Sequence, residues 1–228
     1  MTQERLFDLS GISVYIAIPC YSGIVPIETA IALAQTSVQL QNAGVDVTIG
    51  SERECGIITQ VRNKLVWRFL NDSKADYLFW IDDDIIFSPS DFLTILALAT
   101  IKKVAAATYP TRTETPVFFM QYLNGETPEF DEYGLIKTKG VGLGFACIER
   151  SVIESFALEK ETYIEKGNLE VHNVFRLGIR EDRQPSGEDL NFFNDLYDRG
   201  YITYVNPTIT LKHVGRKDYS AQLIIKEK

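Results

Sequence analysis

Three adjacent carboxylates, Asp82-Asp83-Asp84, close the apolar run Tyr77-Leu78-Phe79-Trp80-Ile81, and Ile85-Ile86-Phe87 follows them. A short apolar run of this kind reads as a buried strand. Like charges at its end repel one another, and burying them unpaired is costly. Positive charge is therefore expected beside them. A divalent cation is the economical source, because hard cations take carboxylate oxygens. Asp82 and Asp84 are two apart, so in an extended chain both point to one side and Asp83 to the other. Taken alone, the stretch is compatible with two carboxylates converging on one ion or polar ligand, and equally with a solvated acidic turn after a core strand.

These carboxylates need a framework. Ile12 to Pro19 reads as a strand that empties into Cys20-Tyr21-Ser22-Gly23. Pro26 to Asn42 reads as a helix with Ile27, Ala30, Ile31, Ala34, Val38 and Gln41 as its inward stripe, Pro26 in the first turn and Gly44 as its stop. Val45 to Ile49 is a second strand, running into Gly50 to Glu54. Ile57 to Leu70 is a second helix, with Ile58, Val61, Leu65 and Phe69 at helical spacing. The acidic triplet ends the third strand. Pro89 to Thr100 is a third helix capped by Ser88, and Lys103 to Ala107 a fourth strand. Such alternation argues for a parallel sheet with helices on its faces, where ligands bind outside the carboxyl ends of the strands. The loops Cys20 to Gly23, Gly50 to Glu54 and Asp82 to Asp84 lie at such ends.

The second half differs. Pro116 to Met120 and Gly134 to Thr138 read as meander strands, and Gly140 to Ile148 as a glycine-rich entry into another strand. Ser151 to Phe156 is a short helix. Lys160 to Gly187 has weak periodicity and many charges and reads as a long loop, a kind that is often functional. Glu188 to Arg199 is a helix with Leu190, Phe193 and Leu196 inward, and Tyr201 to Val205 and Thr208 to Leu211 are late strands.

The chain has 228 residues and a net charge of −8, which gives no electrostatic reason to expect general binding of nucleic acid or anionic membranes. No apolar run approaches the roughly 20 residues that span a bilayer, and the N-terminal residues lack a signal-peptide pattern. Cys20, Cys55 and Cys147 are scattered, without zinc spacing, as in a reducing compartment. A soluble cytoplasmic protein, of microbial or viral origin, is the expectation.

Read together, the pieces resemble a glycosyltransferase of the GT-A fold, close to the family-2-like inverting enzymes, over roughly residues 12 to 215. Ile81-Asp82-Asp83-Asp84 looks like the DXD motif that holds a metal and the nucleotide sugar. Gly187-Glu188-Asp189-Leu190-Asn191-Phe192-Phe193 looks like the ED motif at the head of a helix near the acceptor. His213, in Lys212-His213-Val214-Gly215, looks like the late histidine that supplies a third metal contact. The resemblance implies an α/β fold with a Rossmann-like, mostly parallel sheet, helices on both faces and a smaller mixed acceptor-side sheet. It implies one domain over 1–228, with a nucleotide-sugar half to about residue 110 and an acceptor-side half beyond.

The implied activity moves a sugar from a nucleoside-diphosphate sugar to an acceptor hydroxyl with inversion. A Mn2+ or Mg2+ ion would steady the leaving diphosphate, with Asp84 as direct ligand, Asp82 sharing the metal or holding the ribose, and His213 completing the set. A surface histidine beside lysines is the plainer reading of His213. Inversion needs a base opposite the leaving group; Asp189 is the candidate and Glu188 the second, although the helix dipole alone accounts for two carboxylates there. Pro19, Tyr21 and Ser22 begin the nucleotide pocket, with Tyr21 beside or stacked on the base. Arg62 and Asn63 resemble an arginine-bearing helix start facing the nucleotide, and plain helix surface accounts for them equally. Asp83, Gly142 and Arg216 complete the donor-site candidates, with Gly140 and Gly144 also permitting close backbone approach. Arg176, Arg180, Arg183 and Lys217 are further phosphate candidates. His172 is structural or faces the acceptor.

Many relatives end the second strand with an Asp pair that reads uracil; here Gly50-Ser51-Glu52-Arg53 stands instead, so a UDP-sugar is a default. The acceptor is open: a glycan, a lipid-linked sugar, a protein or a modified nucleic-acid base. Two other readings compete. A haloacid-dehalogenase-like phosphatase also uses Asp-x-Asp, but on its first strand and with a small polar residue where Ile86 stands. A non-catalytic sugar-nucleotide-binding module is the other, and the joint presence of Asp84, Asp189 and His213 argues against it.

Overall fold

The computed structural model describes residues 8–53, 56–180, 183–215 and 218–225. Along the described residues run β1 (Ser13–Pro19), α1 (Ile27–Asn42), β2 (Asp46–Glu52), α2 (Ile58–Asn71), β3 (Tyr77–Ile81), β4 (Ile85–Ile86), α3 (Pro89–Lys102) and β5 (Val104–Ala106). Then follow β6 (Met120–Tyr122), β7 (Glu129–Phe130), β8 (Ile136–Val141), β9 (Phe145–Glu149) and α4 (Arg150–Ala157). The chain continues through β10 (Thr162–Glu165), β11 (Leu169–His172), β12 (Gly178–Ile179), β13 (Pro185–Ser186) and α5 (Glu188–Tyr197), and closes with β14 (Thr203–Val205), β15 (Lys212–Val214) and β16 (Asp218–Ser220).

One large sheet takes the order β2-β1-β3-β9-β5-β14-β8-β6, with β7 on β8. β1 pairs in parallel with β2 and β3, and β5 with β14. β9 is antiparallel to both β3 and β5, so β3 and β5 run the same way without touching. The expected run of adjacent parallel strands is thus interrupted by a strand from the second half. β14, β8 and β6 extend the main sheet, so the sequence halves share one framework, and smaller sheets form from β16-β15-β4, β10-β11 and β12-β13.

Side-chain alternation sorts the core onto two faces. Tyr15, Ala17, Leu78 and Trp80 pack under α2, α4 and α5, while Val14, Ile16, Phe79 and Ile81 pack under α1 and α3. β3 is buried along its whole length because both faces are covered. Ser88 caps α3 as expected, its hydroxyl accepting from Asp91 N at 3.2 Å in a reciprocal box.

Two expectations fail on packing. The inward stripe of α1 is Thr29, Ala32, Thr36 and Leu40, while Ile27, Ile31 and Val38 are exposed. Thr29 can face inward because its hydroxyl donates to Ile85 O at 2.9 Å, which offsets the cost of burial. The 160–187 loop contains two hairpins, β10–β11 and β12–β13. Gly167 at φ 87° and Asn168 at φ 61° make the first turn, a backbone shape that periodicity does not report.

A late strand, β15, positions the site. His213 lies within β15, and β15 pairs antiparallel with β4, opposing His213 to Ile85 and Lys212 to Ile86. Val214 N donates to Asp84 O at 2.8 Å. A histidine remote in sequence is thereby fixed beside the acidic turn.

Candidate active site

The centre of the site is Arg62, on the buried face of α2, with its side chain 3% exposed. Its Nη2 donates to Asp82 Oδ1 and Oδ2 at 3.1 and 3.3 Å, its Nη1 lies 2.8 Å from Asp189 Oδ1, and its Nε lies 3.8 Å from Glu188 Oε1. One guanidinium therefore ties the acidic turn after β3 to the first turn of α5. Trp80 and Asp82 fall on the same side of the strand, so the Arg62 head group sits 5.9 Å from the Trp80 ring and 5.8 Å from Phe175. Phe175 stacks on Phe192 of α5 at 4.6 Å. Arg62 thus acts as an internal counter-ion, where the sequence placed it facing a nucleotide.

Asn63 moves further from its expected role. It is 2% exposed, accepts from Phe175 N at 2.7 Å and donates to Phe175 O at 3.1 Å. Its amide is spent on holding the segment that carries Phe175 against α2.

Burial pushes the Asp82 carboxyl up to about 6; Arg62 opposes that shift, and Asp189, Asp83 and Glu188 add to it. Burial also raises Glu188, with Asp189 adding to the shift and Arg62 opposing it. Asp189 is held at both oxygens: Oδ1 against Arg62, and Oδ2 by Leu143 N at 3.0 Å. The Arg62–Asp189 contact is an ion pair without aligned hydrogen-bond geometry, and Asp189 Oδ1 is sealed from solvent. A favourable helix dipole is worth only about 0.3–1 kcal/mol, so the dipole alone does not explain carboxylates this far engaged.

The period of two does not carry through the acidic triplet. The chain turns after Ile81, with Ile85 N bonded to Asp82 O at 3.2 Å. Asp82 goes to Arg62, whereas Asp84 goes to His213 and Arg112. His213 Nε2 lies 3.5 Å from Asp84 Oδ1. His213 Nδ1 lies 2.9 Å from Pro110 O, a bond it can make only as donor, so Nε2 carries the lone pair. Burial lowers the imidazole, and Arg112 adds to that against the Pro110 bond, which favours the neutral ring. A carboxylate and an imidazole lone pair side by side fit a cation. Among the described residues, however, no group of three or more His, Cys, Asp or Glu side chains is placed around one ion position. Asp84 and His213 are the two side chains of suitable chemistry at this position, and Arg112 lies against both.

Tyr109 and Arg112 escaped the sequence reading. Both follow β5, at the carboxyl end of a strand parallel to β3, where the crevice rule applies and could have found them. Tyr109 packs edge-on to His213, 5.1 Å between ring centroids, and its hydroxyl accepts from Gly144 N at 3.1 Å. The glycines of β8 and the following turn admit the protein's own side chains. A Cβ on Gly142 would come 2.7 Å from the Tyr109 hydroxyl, and one on Gly140 would come 2.6 Å from Phe193 Cβ. At Gly144 it would meet both Asp82 Oδ2 and the Tyr109 hydroxyl at 2.7 Å. Both of those atoms are pinned, so Gly144→Ala is expected to cost about 1–3 kcal/mol in urea denaturation; an unchanged midpoint would show that the pair can give way.

Three cavities lie along this edge. One of about 290 Å³ is lined by Pro19, Cys20, Tyr21, Ile58, Val61 and Asp83, with Tyr21 69% exposed. A second, about 420 Å³, lies between Ser22, Pro26, Asp83, Asp84 and Val214. A third, also about 420 Å³, is lined by Tyr109, Gly142, Arg180, Glu188, Asp189 and His213. The structure thus brings Pro19, Tyr21, Ser22, Asp82, Asp83, Asp84, Gly142, Glu188, Asp189 and His213 to one rim. Asp83, expected to turn away, lines two of these cavities. Arg176 pairs with Asp195 at 3.1 Å, and His172 lines a separate cavity with Trp67. Arg216, Lys217 and Cys55 lie outside the described residues. Cys20 and Cys147 are buried free thiols. No helix among the described residues is long and apolar enough to cross a membrane.

No protein-family model matches the chain, and no curated protein matches it in sequence. Solved structures do resemble it. A197 from STIV has a TM-score of 0.55 at 18% identity, over 95% of this chain and 98% of that one. GalNAc-T7, solved with UDP, GalNAc and Mn2+, gives 0.49 at 12% identity, over 90% of this chain and 44% of that one. S. aureus TarS 1-349 in complex with UDP-GlcNAc gives 0.48 at 11%, over 86% of this chain and 56% of that one. This chain spans about half the length of the last two. The A197 likeness speaks to fold and not to activity. The α/β fold expected from the sequence, a large sheet with helices on both faces, is the observed fold.

Proposed function

We propose that this chain transfers a sugar from a nucleoside-diphosphate sugar to an acceptor hydroxyl with inversion. The observation that carries the reading is that a single cavity is walled by both His213 and Asp189, with Asp84 directly behind His213. On this reading the diphosphate would lie at the His213 wall and the base would be Asp189 on the other wall. The cavity beside Tyr21 takes the base of the nucleotide, with the exposed ring as a stacking face, and the cavity at Ser22, Asp83 and Asp84 leads from it toward His213. UDP is the default base. Asp84 and His213 would hold a Mn2+ or Mg2+ ion, whose charge, when bound, offsets the charge building on the departing diphosphate.

The chain's own residues do the rest. With Oδ1 sealed against Arg62, Asp189 Oδ2 is the oxygen left to take the acceptor proton, and Leu143 N fixes its direction. As that proton moves to Asp189, the acceptor oxygen bonds to the anomeric carbon, and the bond from that carbon to the phosphate oxygen breaks. Glu188, raised by burial, is the second candidate for the proton. Arg180 lines the same cavity and is a candidate partner for the diphosphate.

A donor-hydrolysis screen across nucleotide sugars with Mn2+ or Mg2+ tests this. Hydrolysis of one donor class is expected, and none with any donor would remove the reading. In calorimetry with UDP and Mn2+, Asp84→Ala is expected to weaken binding at least about tenfold, the scale of one lost charged contact. Unchanged affinity would count against Asp84 as a ligand.

A further inference from the structure

We propose that Arg112 is a tethered cation that competes with a divalent metal ion for Asp84 and His213. The proposal rests on reading those two side chains as metal ligands, as above. The Arg112 guanidinium lies against both: its Nε donates to His213 Nε2 at 2.9 Å, and its Nη2 meets Asp84 Oδ2. These are the lone pair and the carboxylate that a metal ion needs. An imidazole nitrogen has one lone pair, so the guanidinium and a metal cannot hold His213 Nε2 together. The bond from His213 Nδ1 to Pro110 O keeps that lone pair aimed at the shared position.

The surroundings allow Arg112 both to dock and to leave. Gly215 makes room for its stem, since a Cβ there would come 3.0 Å from Arg112 Cδ. The loop that carries it is closed by its own bonds: Pro110 bridges to Phe118, Thr111 N donates to Val117 O at 2.8 Å, and Thr113 Oγ1 donates to Thr115 O at 2.6 Å. None of these involves the guanidinium, so the loop survives its release. The Arg112 side chain is 44% exposed, which leaves it a way out to solvent. A diphosphate gives the freed guanidinium a new partner, because its planar fork suits phosphate oxygens. Metal alone therefore binds poorly, and metal together with diphosphate binds well.

Titration of the full chain with Mn2+ alone, followed by calorimetry, tests the competition. Arg112→Gln is expected to bind Mn2+ roughly tenfold tighter than the natural chain, about 1.4 kcal/mol. Arg112→Lys should fall between, keeping the charge but losing the two-pronged contact. Adding Asp84→Asn to Arg112→Gln should abolish the gain. Inorganic pyrophosphate should bring the natural chain's Mn2+ affinity close to that of Arg112→Gln. Equal or weaker Mn2+ binding by Arg112→Gln, or a gain that survives Asp84→Asn, overturns the proposal. The outcomes separate from those of the transferase reading. A gain without donor hydrolysis would leave the competition standing and remove the activity, and hydrolysis without a gain would do the reverse.

Discussion

Replacing Arg62 with Met should lower the stability of the protein by about 3–5 kcal/mol, the range for breaking a buried ion pair from one side. Arg62 is buried to 3% and serves Asp82, Asp189 and Glu188 at once. Met fills much of the same volume and keeps the contacts with Trp80 and Phe175. The loss is therefore that of the charge: three carboxylates at 15–22% side-chain exposure would be left facing one another. For a chain of this size the melting temperature should fall on the order of 10 °C. A second substitution separates charge from packing. Adding Asp82→Asn removes one stranded carboxylate and should recover part of the loss, whereas a pure packing defect would not respond. An Arg62→Met protein that melts with the natural chain would refute the role of Arg62 as the tie between β3 and α5.

The second large effect is on catalysis. Asp189→Asn is expected to reduce sugar transfer by about 10²–10⁴, the usual contribution of a positioned base. Affinity for UDP with Mn2+ should change little. The side chain keeps its shape, and an Asn Oδ1 can still accept from Leu143 N as Asp189 Oδ2 does at 3.0 Å, at the cost of turning its Nδ2 toward Arg62, which loses one ion-pair partner. Arg62 retains Asp82 and Glu188 as partners, so the fold should hold. The contrast with Arg62→Met is the point: one variant spares the fold and stops the chemistry, the other strikes the fold first. If Asp189→Asn lost donor binding as severely as transfer, Asp189 would belong to the donor site. If transfer persisted, Glu188 would be the base to examine, by the same pair of measurements.

Much of this site could be read from local pattern. The apolar run into Asp82-Asp83-Asp84, the carboxylates heading α5 and the strand–helix alternation of the first half are short-range features, and hydrophobic period reports them directly. Where local pattern failed, a tertiary contact had outweighed it. Thr29 faces inward because Ile85 O is there to accept its hydroxyl proton. Asn63 is consumed by the Phe175 backbone, more than a hundred positions away in the chain. β9 enters between β3 and β5 although nothing near either strand announces it.

The sequence by itself determined which groups were present to do chemistry and the order of the elements that carry them, because charge, apolar period and helix signals are written residue by residue. Only the tertiary structure decided who partners whom. It gave Asp82 to Arg62 and Asp84 to His213 and Arg112, splitting a pair of carboxylates that an extended chain would have aimed together. The physical reason is that one turn after Ile81 and one antiparallel register between β4 and β15 set these distances. Register is a property of paired strands, and the strand that completes this pairing lies at the far end of the chain.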